Sequence, residues 1–239
     1  MSRPAGAHRR ALRLAAAQPL LRPYDVRANV ASHAAAVLAA GSDVVVFPEM
    51  SLTGYHLDAP VLSPADPVLG PLVAACERAG TVALVGAPVG DSDEFIAVLA
   101  VDGDGVTVAY RKMWLGEEEA VRFTAGAVPA VLDIAGWRLG LAVCKDTGVP
   151  EHQRQTMELG VDAYLAGTVM LPQERAEQDR RGSSIAAEYG IWVALAGFAG
   201  GTGAGYDATA GGSTIWSPGG AVVDQVGAAP DLVATAELH

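Results

Sequence analysis

The sequence predicts an α/β fold in which helices cover two β-sheets within a single domain spanning residues 1–239. Three observations carry this reading. Short apolar, β-branched runs alternate with alanine-rich helical patterns along the whole chain. Hydrophobic residues make up 51% of the 239, enough to fill a large core. No linker or charge block splits the chain.

The elements follow in order. "ALRLAAAQ" reads as a first strand. "DVRANVASHAAAVLAAG" opens on Asp25, closes on Gly41 and reads as a helix, with an N-cap residue before it and a left-handed residue to stop it. "SDVVVFPE" is a buried strand stopped by Pro48. "PLVAACERAG" is a helix and "TVALVGAPVG" a strand. "FIAVLAVDGDGVTVAYRK" is a hairpin around an Asp-Gly turn. "GWRLGLAVC" is a strand, and "GVPEHQRQTMELG" a helix ending in glycine. "VDAYLAG" is a strand, "SSIAAEYG" a helix, and "IWVALAGFAG" a strand. "GGSTIWSPGGAVVDQVG" is a final hairpin, and "DLVATAEL" the last strand. The glycine-rich piece "FAGGTGAGYDATAGGS" lacks the spacing of a phosphate-binding fingerprint. Two readings stay open for residues 199–212: a mobile surface loop, or a loop bordering the active site.

Composition excludes several classes. A net charge of −11 and a pI near 4.8 argue against a nucleic-acid or anionic-membrane surface. Cys76 and Cys144 are the two cysteines, so no disulfide framework is implied and a reducing cytoplasm fits. The basic start superficially resembles a signal peptide, but Gln18, Pro19 and Arg22 interrupt it and it reads equally well as a strand, so export is rejected. No apolar run approaches the ~20 residues that span a bilayer. The five histidines show no metal-ligand spacing.

Three strand ends place polar groups in apolar contexts: Glu49 in "VVVFPEM", Lys112 in "VAYRKMWL" and Cys144 in "GLAVCKD". Ligands of α/β sheets gather where strands end. A thiolate is a nucleophile, a semi-buried carboxylate can serve as base and then acid, and an ammonium can stabilise an oxyanion. The chain has fourteen arginines and two lysines, Lys112 and Lys145. A GC-rich genome accounts for the bias, and the surviving lysines suit positions where a compact amine does what a guanidinium cannot. Singly, each candidate has an ordinary explanation. Cys144 can be a small core residue, Glu49 a cap, and Lys112 a solvated cation at a hairpin exit.

Taken together, "FPEMSLTGY", "YRKMWL…EEEAVRFTAG" and "GLAVCKDTGVPE" resemble, in order and spacing, the motifs of the nitrilase, or carbon–nitrogen hydrolase, superfamily. The resemblance runs from "RLAAAQ" and Asn29 through "GVDAYLAGT" and "AAEYGIWVALAG" to "GGSTIWSPGGAVV". It implies a four-layer α-β-β-α sandwich, usually paired through helices into a homodimer or larger homo-oligomer. It implies Glu49 as general base, Lys112 as oxyanion-stabilising cation and Cys144 as nucleophile. A second glutamate four residues before Phe123 of the "F-x-x-G" turn falls on Glu119, with Glu117 and Glu118 as neighbours in register. The Lys145 N–H is implied as an oxyanion donor. The implied reaction is hydrolysis of a small linear amide through a thioester, needing no metal or organic cofactor.

The chain departs from the family pattern beside the nucleophile. Lys145 stands where an aromatic residue is usual, and Trp114 where a histidine is usual two residues after the lysine. Lys145 either points outward and pairs with Asp146 or Glu151, or lines the pocket and holds a substrate carboxylate. Tyr55, Trp114, Val169 and Met170 are pocket candidates, with core packing as the competing assignment. Glu188 is expected to be structural, Cys76 to sit in a helix core, and His152 to lie on a helix surface. N-carbamoyl hydrolysis and nitrile hydrolysis are the alternative reactions, although Lys145-Asp146 differs from the Trp-Glu of true nitrilases. A catalytically silent binding or assembly module is the non-enzymatic alternative. A redox-sensor thiol is disfavoured by the lack of a nearby resolving cysteine in sequence.

Overall fold

Strands buried on both faces set the architecture. In the computed structural model, which describes residues 10–90 and 92–239, two six-stranded sheets pack face to face. The rejected signal segment lies partly in residues 1–9, outside the described residues.

The elements are β1 (Leu12–Gln18), α1 (Val26–Ala40), β2 (Val44–Val46), α2 (Gly70–Ala79), β3 (Val82–Gly90), β4 (Glu94–Val101), β5 (Val106–Arg111), β6 (Val131–Ile134), β7 (Trp137–Val143), α3 (Pro150–Glu158), β8 (Ala163–Thr168), α4 (Arg175–Tyr189), β9 (Trp192–Gly197), β10 (Thr214–Trp216), β11 (Val222–Gln225) and β12 (Leu232–Leu238). The first sheet runs β12-β1-β2-β3-β4-β5 and the second β11-β10-β9-β8-β7-β6. Each has a parallel centre, β1-β2-β3 or β7-β8-β9, extended by antiparallel strands.

Successive residues of one strand serve different layers. Val44 and Val46 of β2 point into the core between the sheets with Leu14, Leu84, Leu141 and Leu165. Val45 points the other way, against Val30 and Val37 of α1 and Leu72 of α2. Across the second sheet, Tyr164 and Ala166 of β8 meet Ile185 and Ala186 of α4 and Trp216 of β10. This two-sided burial explains the continuous apolar runs, since the period of two carries no contrast when both faces are covered. The result is the four-layer α-β-β-α sandwich.

Local chemistry fixes the helix ends. The Asp25 carboxylate accepts from the Ala28 N–H at 3.0 Å and caps α1, which stops at the left-handed Gly41. Two buried polar residues of α1 hold the loop after β2. The Asn29 amide bonds Arg22 O and Leu52 O, and His33 Nε2 lies 2.8 Å from the Ser51 hydroxyl.

Two elements differ from expectation. β6 is an additional strand, paired to β7 around Ala135 and Gly136, both at positive φ. It is four residues long and mostly half-exposed, too short for a periodic signal. α4 begins eight residues before "SSIAAEYG", through a charged stretch. Pairs at helical spacing support that stretch: Glu177 with Arg180 and Arg181, and Arg175 with Asp179.

Gly182 of α4 lies against the Trp216 ring, and a Cβ added there would fall 2.4 Å from a ring carbon. Gly182→Val is therefore expected to destabilise by about 1–3 kcal/mol through overpacking. Combining it with Trp216→Leu should cost less than the sum of the two single changes, because the sites share one volume. Urea denaturation of the four proteins measures this.

Candidate active site

The chain leaves β2 at Val46 and runs Phe47–Pro48–Glu49 between the two sheets. A Cβ on Gly86 of β3 would fall 2.3 Å from Met50 N, and one on Gly167 of β8 would fall 2.5 Å from Phe47 O. Both glycines therefore clear a passage for this segment. Met50 then turns with φ 49°, and Glu49 is buried with 2% of its surface exposed.

Lys112 follows β5 directly. Its N–H donates to Ile96 O at 2.8 Å and its carbonyl accepts from Gly126 N–H at 2.8 Å, so its backbone is fixed on both sides. Its buried ammonium donates to Glu49 Oε1 at 2.7 Å and to Glu119 Oε1 at 2.6 Å. Of the three consecutive glutamates, Glu119 turns inward, while Glu117 and Glu118 are exposed. Glu119 also accepts from the Tyr55 hydroxyl at 2.6 Å and from Gly116 N–H at 2.6 Å.

Cys144 follows β7 directly and opens a short 3-10 turn, Cys144–Gly148, with φ 40°. A left-handed non-glycine residue is strained, and such strain concentrates at functional sites. The half-buried thiol donates to Val169 O at 3.3 Å.

Two carboxylates share one ammonium, and the environment separates them. Burial raises the Glu49 pKa most, Lys112 offsets it and the Glu119 charge adds to it, leaving Glu49 at about 7. Burial also acts on Glu119, but Lys112, Tyr55 and Gly116 all donate to it and hold it below the usual carboxylate range. Glu119 is thus the permanent anion and Glu49 the carboxyl poised to exchange a proton near neutrality. Lys112 is raised further above the ordinary lysine value, because Glu49, the Cys144 thiolate form and Glu119 outweigh its burial. Burial, then the Glu49 charge, pushes the Cys144 thiol up to about 12, against the pull of Lys112. Cys144 thus rests as a thiol, with a carboxyl, Glu49, in the same cluster whose proton affinity lies near neutrality.

The other candidates divide. Tyr55 lines a cavity of about 330 Å³ with Glu117, Glu118, Glu119, Leu171 and Tyr206. Val169 and Met170 are buried, and Val169 meets the thiol through its carbonyl while its side chain joins the intersheet core. The Trp114 ring packs edge-on to His152 at 5.5 Å. Exposed Lys145 pairs with neither expected carboxylate: its ammonium donates to Leu115 O at 2.5 Å. Asp146 is taken up by Val143, Trp114 and Tyr110, and Glu151 by Arg154 and Gln155. His152 is also corrected. It is fully buried between the hydroxyls of Tyr110 and Tyr164, where a helix-surface position was expected. Glu188 is exposed and Cys76 is buried in α2.

The glycine-rich loop borders this site. Thr202 Oγ1 accepts from Tyr55 N–H at 2.8 Å, and the Tyr206 ring meets Tyr55 edge-on at 5.4 Å. Tyr206 was missed in the sequence, although it is the single aromatic between residues 199 and 213.

Fold and site together define the nitrilase-superfamily class of α/β sandwich. The chain belongs to the carbon–nitrogen hydrolase family, whose sequence pattern it matches over residues 13–239. It is 33% identical over 175 residues to the "Hydrolase in pqqF 5'region" of Pseudomonas protegens, covering 68% of this chain and 61% of that one. It is 30% identical over 138 residues to an (R)-stereoselective amidase of Pseudomonas sp, covering 56% and 50%. The chain thus spans one half to three fifths of these relatives' lengths. Among solved structures it is similar to a glutamate variant of the amidase from Nesterenkonia sp. AN1, in which the acetamide moiety of fluoroacetamide is covalently added at the active-site cysteine. The TM-score there is 0.85 and the identity 25%, covering 98% of this chain and 92% of that one.

The shared ammonium makes a stability prediction that needs no substrate. Lys112→Met leaves two buried carboxylates without their cation and is expected to cost about 3–5 kcal/mol at pH 8. Adding Glu49→Gln and Glu119→Gln should recover most of that loss. Without the cation both carboxyls bind protons more tightly in the fold than in the unfolded chain, so Lys112→Met should gain stability relative to the parent as the pH falls from 8 to 5. Thermal melts across pH check both.

Proposed function

We propose that this protein is a thiol-dependent hydrolase of small linear amides. The observation that carries the reading is the Lys112 ammonium bonded at once to Glu49 and Glu119 in a buried site that also holds the Cys144 thiol. Glu49 takes the thiol proton as Cys144 attacks the amide carbon. Lys112 and the Lys145 N–H stabilise the oxyanion as it forms. Glu49 returns its proton to the departing ammonia or amine, leaving a thioester. It then removes a proton from water, which attacks the thioester and frees the acid and Cys144. Glu119 stays ionised throughout and keeps Lys112 charged and aimed.

The family membership and the covalently modified cysteine of the structural relative support this assignment. The cavity that Tyr55 and Tyr206 line beside Glu119 has room for a short acyl chain. A cytoplasmic enzyme working as a homodimer or larger homo-oligomer fits the family. Among the described residues no helix is long and apolar enough to cross a membrane.

Ammonia release from a panel of acetamide, propionamide, N-carbamoyl amino acids and aliphatic nitriles tests the reading. Turnover of the simple amides is expected, falling by about 10³-fold or more in Cys144→Ala. Intact mass after exposure to fluoroacetamide should show one added acetamide moiety in the parent and none in that variant. Turnover confined to carbamoyl compounds or nitriles moves the assignment to those reactions. Silence toward every compound, with no adduct, leaves a binding module.

A further inference from the structure

The proposed reaction leaves a second buried polar cluster unused. Asp146, two residues after the cysteine, is fully buried. Its Oδ2 accepts from Val143 N–H at 2.9 Å and from the Tyr110 hydroxyl at 2.8 Å, and its Oδ1 accepts from Trp114 N–H at 3.0 Å. Donor counting settles what lies behind it. Tyr110 has one proton and gives it to the carboxylate. The same oxygen lies 3.2 Å from Met113 N and 3.0 Å from His152 Nε2, so it accepts from both. His152 therefore carries its proton on Nε2, and its Nδ1, 2.8 Å from the Tyr164 hydroxyl, accepts. The hydrogen bonds run one way, from Tyr164 through His152 and Tyr110 to Asp146. The imidazole sits edge-on among the rings of Tyr110, Trp114 and Tyr164, at 5.9, 5.5 and 5.7 Å. Burial lowers its pKa to about 4, so it is neutral, as the chain of donors requires.

The backbone groups bonded to this chain flank Cys144 and Lys112. Val143 N–H belongs to the residue before Cys144. Met113 N–H and Trp114 N–H belong to the two residues after Lys112. One carboxylate thus holds a turn of the second sheet and a strand exit of the first. We propose that Asp146, oriented by the Tyr110–His152–Tyr164 chain, is a positioning residue that fixes the Cys144 thiol relative to the Lys112 ammonium. Ionised Asp146 is costly there: burial raises its pKa to about 6, against the Val143 bond, the Lys112 charge and the bonds from Trp114 and Tyr110. Costs of this kind are kept where geometry serves chemistry.

The inference rests on the hydrolase reading, and its test separates the two. Four variants are compared with the parent: Asp146→Asn, Tyr110→Phe, His152→Leu and His152→Gln. Leucine and glutamine both fill the space, but only glutamine can donate to Tyr110 while accepting from Tyr164. With propionamide, the first three should lose about 10–100-fold in kcat with KM little changed, because misplacement by a fraction of an ångström costs the transition state and not binding. His152→Gln should recover most of the loss. The folded fraction is followed by near-UV circular dichroism. Parent-like kcat in folded Asp146→Asn and Tyr110→Phe overturns the proposal, as does equal loss in His152→Leu and His152→Gln. The rate of Cys144 alkylation by iodoacetamide should rank the variants in the same order. If the parent hydrolyses no amide, the hydrolase reading fails, and the alkylation ranking alone decides the clamp.

Discussion

One ammonium between two buried carboxylates is the constraint on which the rest of the structure depends. Lys112 comes from the exit of an edge strand, Glu49 from the exit of a central strand, and Glu119 from a short turn that follows Lys112 in the chain. None of these charges could be buried alone, since the desolvation of a lone ion costs several kcal/mol. Together they can be buried, but only if three backbone segments meet within hydrogen-bond reach. Much of the surrounding structure serves that meeting. Gly86 and Gly167 make room for the Glu49 segment, and Ile96 and Gly126 fix the Lys112 backbone. Tyr55 and Gly116 complete the shell of Glu119.

The same cluster accounts for the division of labour between the carboxyls. Two anions and one cation leave an excess negative charge that the interior resists. The group with the most donors keeps its charge, and the other gains proton affinity. Glu119 has three kinds of donor, whereas Glu49 has Lys112 and lies beside a thiol that it raises in turn. The thiol therefore keeps its proton at rest, and in the proposed reaction it becomes a nucleophile only as ionised Glu49 takes that proton.

The fold was legible in the sequence because burial on both faces of β2, β3, β7, β8 and β9 leaves unbroken apolar runs, and glycines mark the helix ends. The strand exits were legible because Glu49, Lys112 and Cys144 interrupt those runs with groups that an apolar context does not tolerate without a partner. Other features depended on three-dimensional partners that lie far off in sequence. His152 sits in a polar helix, and only the hydroxyls of Tyr110 and Tyr164, from two other strands, explain its burial. Lys145 faces a backbone carbonyl, a partner that no side-chain pattern announces. Tyr206 comes from a glycine-rich loop whose path is set by Thr202 bonding Tyr55. β6 carried too few residues to show a period.

The central claim is that Glu49 is the proton-exchanging carboxyl, tuned by the charge of Glu119 across a shared lysine. The most direct measurement is the pH dependence of kcat/KM for a simple amide in the parent and in Glu119→Gln, which reports the free enzyme's essential base. The parent should lose activity as the pH falls through about 7. Removing the Glu119 charge takes away a repulsion that raises Glu49 and frees Lys112 to favour its anion, so the acid limb should move to lower pH, with whatever loss of maximal rate. An acid limb that stays in place, or moves to higher pH, contradicts the account.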